Sequence, residues 1–269
     1  MPIYAQYYFW LVACSLFCLL LERIRPWRKD QKVLRKGWLQ DLFWLVFNGH
    51  YLGILMAVGT GKLIALLNGW LHAQGWPTPD SLAVMAGWPL AAQFVVFFVL
   101  KDFVEWNIHR TLHNVPFLWE FHKLHHSIEE LDWIGNFRFH WGEIIVYKTV
   151  SYLPLVVMGV DPRVMLVIAV IGTLMQDLNH ANVRIDWGPL RYLLNSSRMH
   201  VWHHDVETHG RGGQNFGIVL SVWDWIFGTA YWPDDAEGPE RIGFRGQKET
   251  YPEGLAARFI YPLWRPRRR

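Results

Sequence analysis

Residues 118–126 read LWEFHKLHH, which places His122, His125 and His126 in the pattern His-x-x-His-His. Residues 200–204 read HVWHH and repeat this pattern. Because residues three or four apart lie on one face of an α-helix, each pattern can present several imidazoles to one point. The two stretches therefore predict helices that the rest of the fold brings together around metal.

The remaining clustered histidines keep the same spacing. His109 and His113 are four residues apart, and the second motif supplies His200, His203 and His204. Together with the first motif they make eight clustered imidazoles, whereas a tetrahedral zinc site takes four ligands. The count therefore indicates two metal ions. Imidazole binds iron, zinc, copper and nickel, so the type of ligand does not identify the metal.

Three other histidines are predicted to have no ligand role. His50 and His72 stand alone in the amino-terminal region, without a partner at helical spacing. His209 lies in a glycine-rich stretch, which predicts a mobile loop near the entrance of the site.

The composition is typical of a membrane protein. Of 269 residues, 52% are hydrophobic and 18% are charged, which is too apolar for an ordinary soluble domain. The formal net charge is only +3, and the basic residues do not alternate with aromatic residues along a groove, so no nucleic-acid partner is expected. Cys14 and Cys18 lie inside an apolar run and are interpreted as small hydrophobic residues.

The amino-terminal part contains two apolar stretches. Residues 4–21 are followed directly by a basic segment, which predicts a membrane anchor with a cytoplasmic flank. A signal peptide is the competing interpretation, but its basic residues would precede the apolar run. Residues 41–71, with a break at 59–62, predict one span and a partly embedded or interfacial helix.

The later apolar runs alternate with the histidine motifs. Residues 82–100 predict a further span, and residues 144–160 and 163–175 predict a helical hairpin that enters the membrane and returns. The fold class expected is an all-α integral membrane helical bundle of about four to five membrane helices, with a cytoplasmic His-rich helical cap. The protein is thus predicted to be multi-pass, with its active-site cap on the cytoplasmic side.

A single domain is expected over residues 1–269, because the histidine motifs and the apolar runs are interwoven. Its parts are an anchor and basic loop at 1–40, a core at about 82–232 and a tail at 233–269. The tail ends in basic residues that are expected on the cytoplasmic side: Arg265, Arg267, Arg268 and Arg269.

An ordered set of motifs over residues 102–231 resembles the fatty acid hydroxylase/sterol desaturase superfamily of membrane-bound, histidine-box di-iron oxygenases. The matching pieces are Asp102-Phe103, HRTLH at 109–113, LWEFHKLHH at 118–126, Arg138-Phe139-His140 with Glu143, HVWHH at 200–204, NFG at 215–217, Trp223-Asp224 and FGT at 227–229. One such motif alone would be weak evidence, but the complete order is specific.

This resemblance implies a cap on four core membrane helices that holds two iron ions. It also implies dioxygen as co-substrate, a separate electron donor of the haem or ferredoxin type with its reductase, and hydroxylation or desaturation of a C–H bond in a membrane lipid. The metal ligands that it implies are His109, His113, His122, His125, His126, His180, His200, His203 and His204. Gln176 stands where many members have a further histidine, so it is a candidate to ligate, to hold a water or to pack.

Six other polar residues are candidates to support the metal site. Arg138, His140 and Glu143 are expected either to contact the ligands or substrate or to form a structural hydrogen-bond cluster. Asp177, Asp205 and Asp224 are candidates to accept the second N–H of ligand imidazoles, with helix capping or solvation as the alternative.

Several functions remain open at this point. A carotenoid-type hydroxylase or an ether-lipid monooxygenase would share the histidine motifs, which do not identify a substrate. A membrane zinc hydrolase belongs to a different class and would differ in its metal and in oxygen consumption. A metal transporter would carry ligands inside its spans, whereas these clusters follow the spans. The oligomeric state is not predicted.

Overall fold

The computed structural model describes residues 2–78, 83–210, 212–234 and 237–264. Within them the chain forms α-helices, short 3-10 and π-helical segments and two isolated β-bridges, which confirms the all-α prediction. The predicted core boundary at Leu82 and the basic residues of the tail, Arg265, Arg267, Arg268 and Arg269, lie outside these ranges.

The described residues form eleven α-helices. They are α1 (Tyr7–Ile24), α2 (Trp38–Val46), α3 (Gly53–Ala73), α4 (Leu90–Asn114), α5 (Pro116–His126), α6 (Trp141–Val157), α7 (Pro162–His180), α8 (Ser197–His203), α9 (Val222–Phe227), α10 (Gln247–Thr250) and α11 (Leu255–Ile260). A π-helical segment, Phe47–Leu52, joins α2 to α3, and a 3-10 segment, Trp133–Phe137, lies between α5 and α6.

Two helices of the described chain are long and apolar enough to cross a membrane. They are α1, with 18 residues, and the continuous helical stretch Trp38–Ala73, with 36 residues. A bilayer core needs about 20 apolar residues. Most of their side chains are not buried in the protein, and exposed leucines such as Leu20, Leu55 and Leu66 fit contact with lipid.

The predicted break at residues 59–62 is wrong. Helix α3 runs through Gly59 and Lys62 without interruption, and the irregularity of this stretch is the π-helical segment Phe47–Leu52. Glycine inside a helix costs only about 1 kcal/mol relative to alanine, whereas a proline would have broken the ladder of hydrogen bonds.

Helix α4 joins an apolar stretch and two of the clustered histidines in one element. Its 25 residues begin with the apolar part of the run predicted at 82–100 and end with His109 and His113. Helix α7 likewise extends beyond the run predicted at 163–175 and ends at His180. Its N-cap, Asp161, accepts a hydrogen bond from the backbone N–H of Arg163 at 2.8 Å. The histidines therefore continue the apolar helices instead of following them in loops.

A buried carboxylate connects α1 to the histidine-bearing part. Glu22 Oε1 accepts hydrogen bonds from the backbone N–H groups of Trp133 and Asn182, both at 2.8 Å. Helix α1 packs along α7, where the Tyr7 and Thr173 hydroxyls are 2.7 Å apart. These contacts fix the first helix against the segments that follow the histidine motifs.

A second buried network holds α2 in place. Asp41 forms ion pairs with Arg35, at 2.6 Å, and with Arg138, whose Nη2 is 3.0 Å from Asp41 Oδ2. Arg35 also contacts Asp132 at 2.6 Å. The aromatic ring of Phe259 on α11 stacks on Trp44 of α2, so the predicted tail packs into the fold.

Removal of the central carboxylate should destabilise the protein strongly. Asp41→Ala leaves two buried guanidinium groups without their shared partner, which typically costs about 3–5 kcal/mol. Thermal unfolding and monodispersity in detergent measure this effect, with the exposed Asp30 changed to Ala as control. An Asp41→Ala protein that unfolds at the same temperature as the control would contradict the role assigned to the network.

Candidate metal centre

Nine histidines converge in two adjacent groups. The first histidine group contains His109, His113, His122, His126 and His203, and the second histidine group contains His125, His180, His200 and His204. In each group the candidate ligand atoms all lie within 4.8 Å of one another. The structure therefore brings together all nine histidines predicted as ligands and divides them between two sites.

The division follows from helical geometry. Residues four apart share a helix face more closely than residues three apart, because a turn contains 3.6 residues. Accordingly, His122 and His126 of α5 point into the first histidine group, while His125 points into the second. In the second motif, His200 and His204 join the second group and His203 joins the first. Each His-x-x-His-His motif thus serves both sites.

The imidazole nitrogens fit metal ions. Four Nε2 atoms of the first histidine group are buried without a hydrogen-bond partner: those of His113, His122, His126 and His203. In the second group, Nε2 of His180 lies 3.1 Å from that of His125 and 3.2 Å from that of His200. A buried polar atom without a partner costs about 1–3 kcal/mol, and a metal ion at the common point would provide the missing partner.

Acceptors behind four of the rings set their orientation. Nδ1 of His122 lies 2.8 Å from Glu143 Oε1, and Nδ1 of His109 lies 2.9 Å from the backbone oxygen of Phe216. Nδ1 of His203 lies 2.8 Å from the backbone oxygen of Gln214. When Nδ1–H donates to such an acceptor, Nε2 carries the lone pair that binds metal.

Backbone carbonyls perform most of this orientation, and the sequence did not predict them. The carbonyl of Gln176 faces His180 Nδ1 at 2.9 Å in the same way. Every residue has a backbone carbonyl, so residue types do not show which carbonyl will face a histidine. In the sequence, the NFG motif at 215–217 was the signal that pointed to this loop. Its Asn215 has a positive φ of 56°, a conformation that asparagine tolerates better than most residues.

The three aspartates proposed to orient the imidazoles contact other groups. Asp177 Oδ1 accepts from Asn136 Nδ2 at 2.9 Å, and Asp205 Oδ2 lies 2.7 Å from His209 Nε2. Neither contact involves a histidine of the two groups. Among the hydrogen bonds of the described residues, Glu143 supplies the carboxylate beside a clustered imidazole.

Asp224 contacts the loop that faces His109 and not the imidazole itself. Its carboxylate accepts hydrogen bonds from the backbone N–H groups of Phe216 and Gly217, at 2.9 and 2.8 Å, and from Trp106 Nε1 at 3.0 Å. The Asp224 side chain thereby fixes the loop whose Phe216 carbonyl faces His109. Asp102 binds the next part of this loop through the backbone N–H of Val219 at 3.0 Å.

Arg138 and His140 belong to structural contacts. Arg138 pairs with Asp41, as described above, and His140 Nε2 lies 3.0 Å from the backbone oxygen of Phe259. His140 Nδ1 accepts the backbone N–H of Gly142 at 3.0 Å. These two residues therefore correspond to the hydrogen-bond cluster, whereas Glu143 reaches a clustered imidazole.

The isolated histidines stay outside both groups. His50 and His72 are exposed, and His50 lies against the ring of Tyr51. His209 stacks on Tyr231 with ring centroids 4.0 Å apart. The Gln176 side chain donates to the carbonyl of Gly172 at 3.1 Å, and its ligand role stays a prediction.

Burial keeps the clustered imidazoles neutral. It lowers the pKa of His122, His125 and His126 well below 6.5, and neighbouring histidines lower it further. The same causes lower the pKa of His200 and His204. A neutral imidazole is the form that binds a metal ion, so the environment prepares the rings as ligands.

Two cavities approach the first histidine group and share no lining residues. The first cavity, of about 350 Å³, lies between α1, α2, α4, α6 and α7 and reaches His109 and His122. The second cavity, of about 390 Å³, reaches His113, His126 and His203 and has a more polar wall. The centre is therefore accessible by two routes of different polarity.

Loss of one imidazole from the second group should remove metal. His125→Ala and His204→Ala each delete a nitrogen at a four-ligand site, and we expect the loss of about one metal ion per chain. The controls His50→Ala and His72→Ala should keep the metal of the parent. The measurement is metal per chain in detergent-purified, monodisperse protein. Full retention in the first two variants, or equal loss in the controls, would disprove the assignment.

Acid should destabilise the metal-free protein. In the folded chain the pKa values of the buried imidazoles lie below 6.5, and on unfolding they return to about 6.5. Below that pH the unfolded state binds more protons than the folded state, so the free energy of unfolding falls as the pH falls. The thermal midpoint should be lower at about pH 5.5 than at about pH 7.5. A midpoint that does not change would contradict this.

Comparison with known proteins agrees with this centre. The profile of the fatty acid hydroxylase family matches residues 94–229, which contain all nine histidines. An ornithine lipid hydroxylase from Rhizobium tropici is 28% identical over 255 residues, or 93% of this chain and 73% of that protein. No solved structure matches the chain at a significant level.

Two further relatives match over shorter stretches. Methylsterol monooxygenase 1-2 from Arabidopsis thaliana is 25% identical over 62% of this chain and 58% of its own length. Human alkylglycerol monooxygenase is 32% identical over 49% of this chain and 29% of its own length. This chain therefore spans less than two thirds of either relative. Because the family profile covers just over half of its residues, the chain belongs to the fatty acid hydroxylase family and is an oxidoreductase of the hydroxylase type.

Proposed function

We propose that this protein is a membrane-bound di-iron oxygenase that hydroxylates a C–H bond of a lipid. The observation that carries the proposal is the pair of buried histidine groups beside a cavity whose wall includes apolar residues of the candidate membrane helices. The relatives named as an ornithine lipid hydroxylase and a methylsterol monooxygenase support a lipid substrate.

The reaction itself argues for a redox metal. A C–H bond of an alkyl group has no acidic proton and no leaving group, so acid–base chemistry by side chains does not break it. Two iron ions, when bound, supply the redox chemistry with dioxygen. In hydroxylation, one oxygen atom enters the C–H bond and the other leaves as water, while a donor provides two electrons and two protons. The nine histidines proposed as ligands would hold both ions, with Gln176 as the candidate for a further ligand.

The chain's own residues would position the ligands and exclude water. Glu143 holds His122 through Nδ1, and the Phe139 ring stacks on His125 with centroids 4.3 Å apart. Phe139 and Glu143 both line the first cavity. A substrate in this cavity would therefore meet the centre from the side of His109 and His122.

The remaining parts of the proposal concern membrane and partners. The chain would form one domain with four to five membrane helices. Helices α4, α6 and α7 would lie in the membrane beside the two long apolar helices, and the histidine-bearing cap would lie in the cytoplasm. A separate haem or ferredoxin-type carrier with its reductase would supply electrons. The second cavity, with Lys123 and Arg245 in its wall, offers this donor a polar route to the centre.

An ether-lipid monooxygenase is the second candidate, because the human alkylglycerol monooxygenase matches at 32% identity. Desaturation and zinc-dependent hydrolysis are further outcomes that the same experiment separates. These reactions differ in the change that they make to the lipid and in whether they consume dioxygen.

Isotopically labelled dioxygen tests the proposed reaction. Membranes of an expression host that makes the parent protein should contain a lipid with one labelled oxygen atom, and this lipid should be absent with His125→Ala or His204→Ala. Lipid mass spectrometry is the measurement, with His72→Ala as the matched active control. Loss of hydrogen without label would indicate desaturation. Cleaved lipid without label, together with zinc in the purified protein, would disprove the proposal.

Cysteine labelling tests the topology. After replacement of Cys14 and Cys18, single cysteines at Lys36→Cys and Lys248→Cys should react with an impermeant reagent from the cytoplasmic side, because the positive-inside rule predicts the basic segments there. A cysteine at Gln74→Cys, just after α3, should react from the opposite side. All three positions are exposed. Labelling of Lys36→Cys and Lys248→Cys from different sides would contradict the proposed arrangement.

A further inference from the structure

The first cavity contains a buried ion pair next to the metal centre. Lys101, Glu105 and His109 succeed one another at four-residue intervals on α4, and all three line the cavity. Lys101 Nζ and Glu105 Oε1 are 2.6 Å apart, and the two residues are only 6% and 4% exposed. Four residues of helix advance about 6 Å, so Glu105 lies one turn and Lys101 two turns from a candidate ligand.

The opposite wall of the cavity adds two more ionisable side chains. Glu143 and Lys148 on α6 also line it, and Glu143 contacts His122. Lys148 is exposed and forms no ion pair within 4 Å among the described residues. The wall of the cavity thus carries two carboxyl groups and two lysine amino groups. Tyrosine side chains lie among them, and Lys101 Nζ is 5.0 Å from the ring centre of Tyr152.

These ionisable groups are unnecessary for binding a hydrocarbon chain. Replacing a buried ion pair by apolar residues of similar size often leaves the stability of a protein unchanged or raises it. A contribution to stability therefore does not explain why this pair is present. Ionisable residues within a membrane protein commonly mark the site of a polar ligand. Lys101 and Glu105 face the cavity, where a bound molecule can contact each of them, and they present a donor and an acceptor side by side.

We propose, on the basis of the function proposed above, that the substrate is a lipid with a zwitterionic headgroup that binds inside the first cavity. An anionic group of the headgroup would pair with Lys101 and Lys148, and its ammonium group would pair with Glu105. A headgroup held there lies about one helical turn from His109. The anion is a carboxylate or a phosphate, because both match a lysine ammonium group.

Matched lipids test the charge requirement without turnover. N-palmitoyl-lysine carries a carboxylate and a free ammonium group, N-palmitoyl-norleucine lacks the ammonium group, and N-palmitoyl-cadaverine lacks the carboxylate. Lysophosphatidylethanolamine and lysophosphatidylglycerol provide the corresponding pair with phosphate. Dissociation constants for the metal-loaded protein are measured by tryptophan fluorescence in a non-ionic detergent. We expect each zwitterion to bind about tenfold more tightly than its singly charged analogues.

Changing both members of the ion pair tests its location. Lys101→Met/Glu105→Gln removes both charges together, which avoids leaving one buried charge unpaired. This variant should keep its metal and lose the preference for the zwitterion. The control is Arg163→Met, at an exposed position at the start of α7 and outside the cavity. It should retain the preference of the parent.

The outcomes separate this inference from the proposed reaction. The preferred anion is identified by whether the lysine lipid or the ethanolamine lipid shows the larger preference. Equal affinities for charged and zwitterionic lipids in the parent protein would disprove the zwitterion, even when metal content and oxygenation are normal. An unchanged preference in a folded Lys101→Met/Glu105→Gln protein would disprove the location. Should that variant fail to fold, the lipid series on the parent still decides the first point.

Discussion

The structure depends on nine neutral imidazoles, eight of them buried, whose nitrogens converge on two points. Several of these nitrogens have no hydrogen-bond partner in the protein, so their burial is unfavourable unless a metal ion binds them. Helices α4 and α7 carry their histidines in or near the last turns, and α5 and α8 carry the two His-x-x-His-His motifs. Four helices have to place their ends within a few ångströms, and the rest of the chain serves to hold them there.

Buried carboxylates provide that support at the ends of the helices. Asp41 joins α2 to the segment after α5, Glu22 joins α1 to two loops, and Asp224 fixes the loop that faces His109. Each accepts at least two hydrogen bonds, which offsets the cost of removing its charge from water. These three carboxylates are thus satisfied within the protein, while several imidazole nitrogens have no protein partner and are available to a metal ion.

The two cavities give this centre an asymmetric environment. The first runs between the apolar helices and contains the pair Lys101–Glu105, while the second is polar and ends near the surface residue Arg245. An oxygenase has to bring its lipid substrate and the electrons from a donor to the same centre by separate routes. Separate cavities that reach different histidines of one group suit that requirement.

The sequence by itself determined the helical class, the nine converging histidines and the family, because helical spacing and ordered motifs are local properties of the chain. It also located Glu143 as a candidate partner, but it could not choose between Glu143 and Asp177 or Asp224, since acceptors are selected by distance. The carbonyls of Gln214 and Phe216 and the pairing of Arg138 with Asp41 were decided only by the tertiary structure. The Phe216–His109 and Arg138–Asp41 contacts join residues 107 and 97 positions apart, and the Gln214–His203 contact spans 11 positions. All three depend on how the chain packs, and no local pattern encodes that packing.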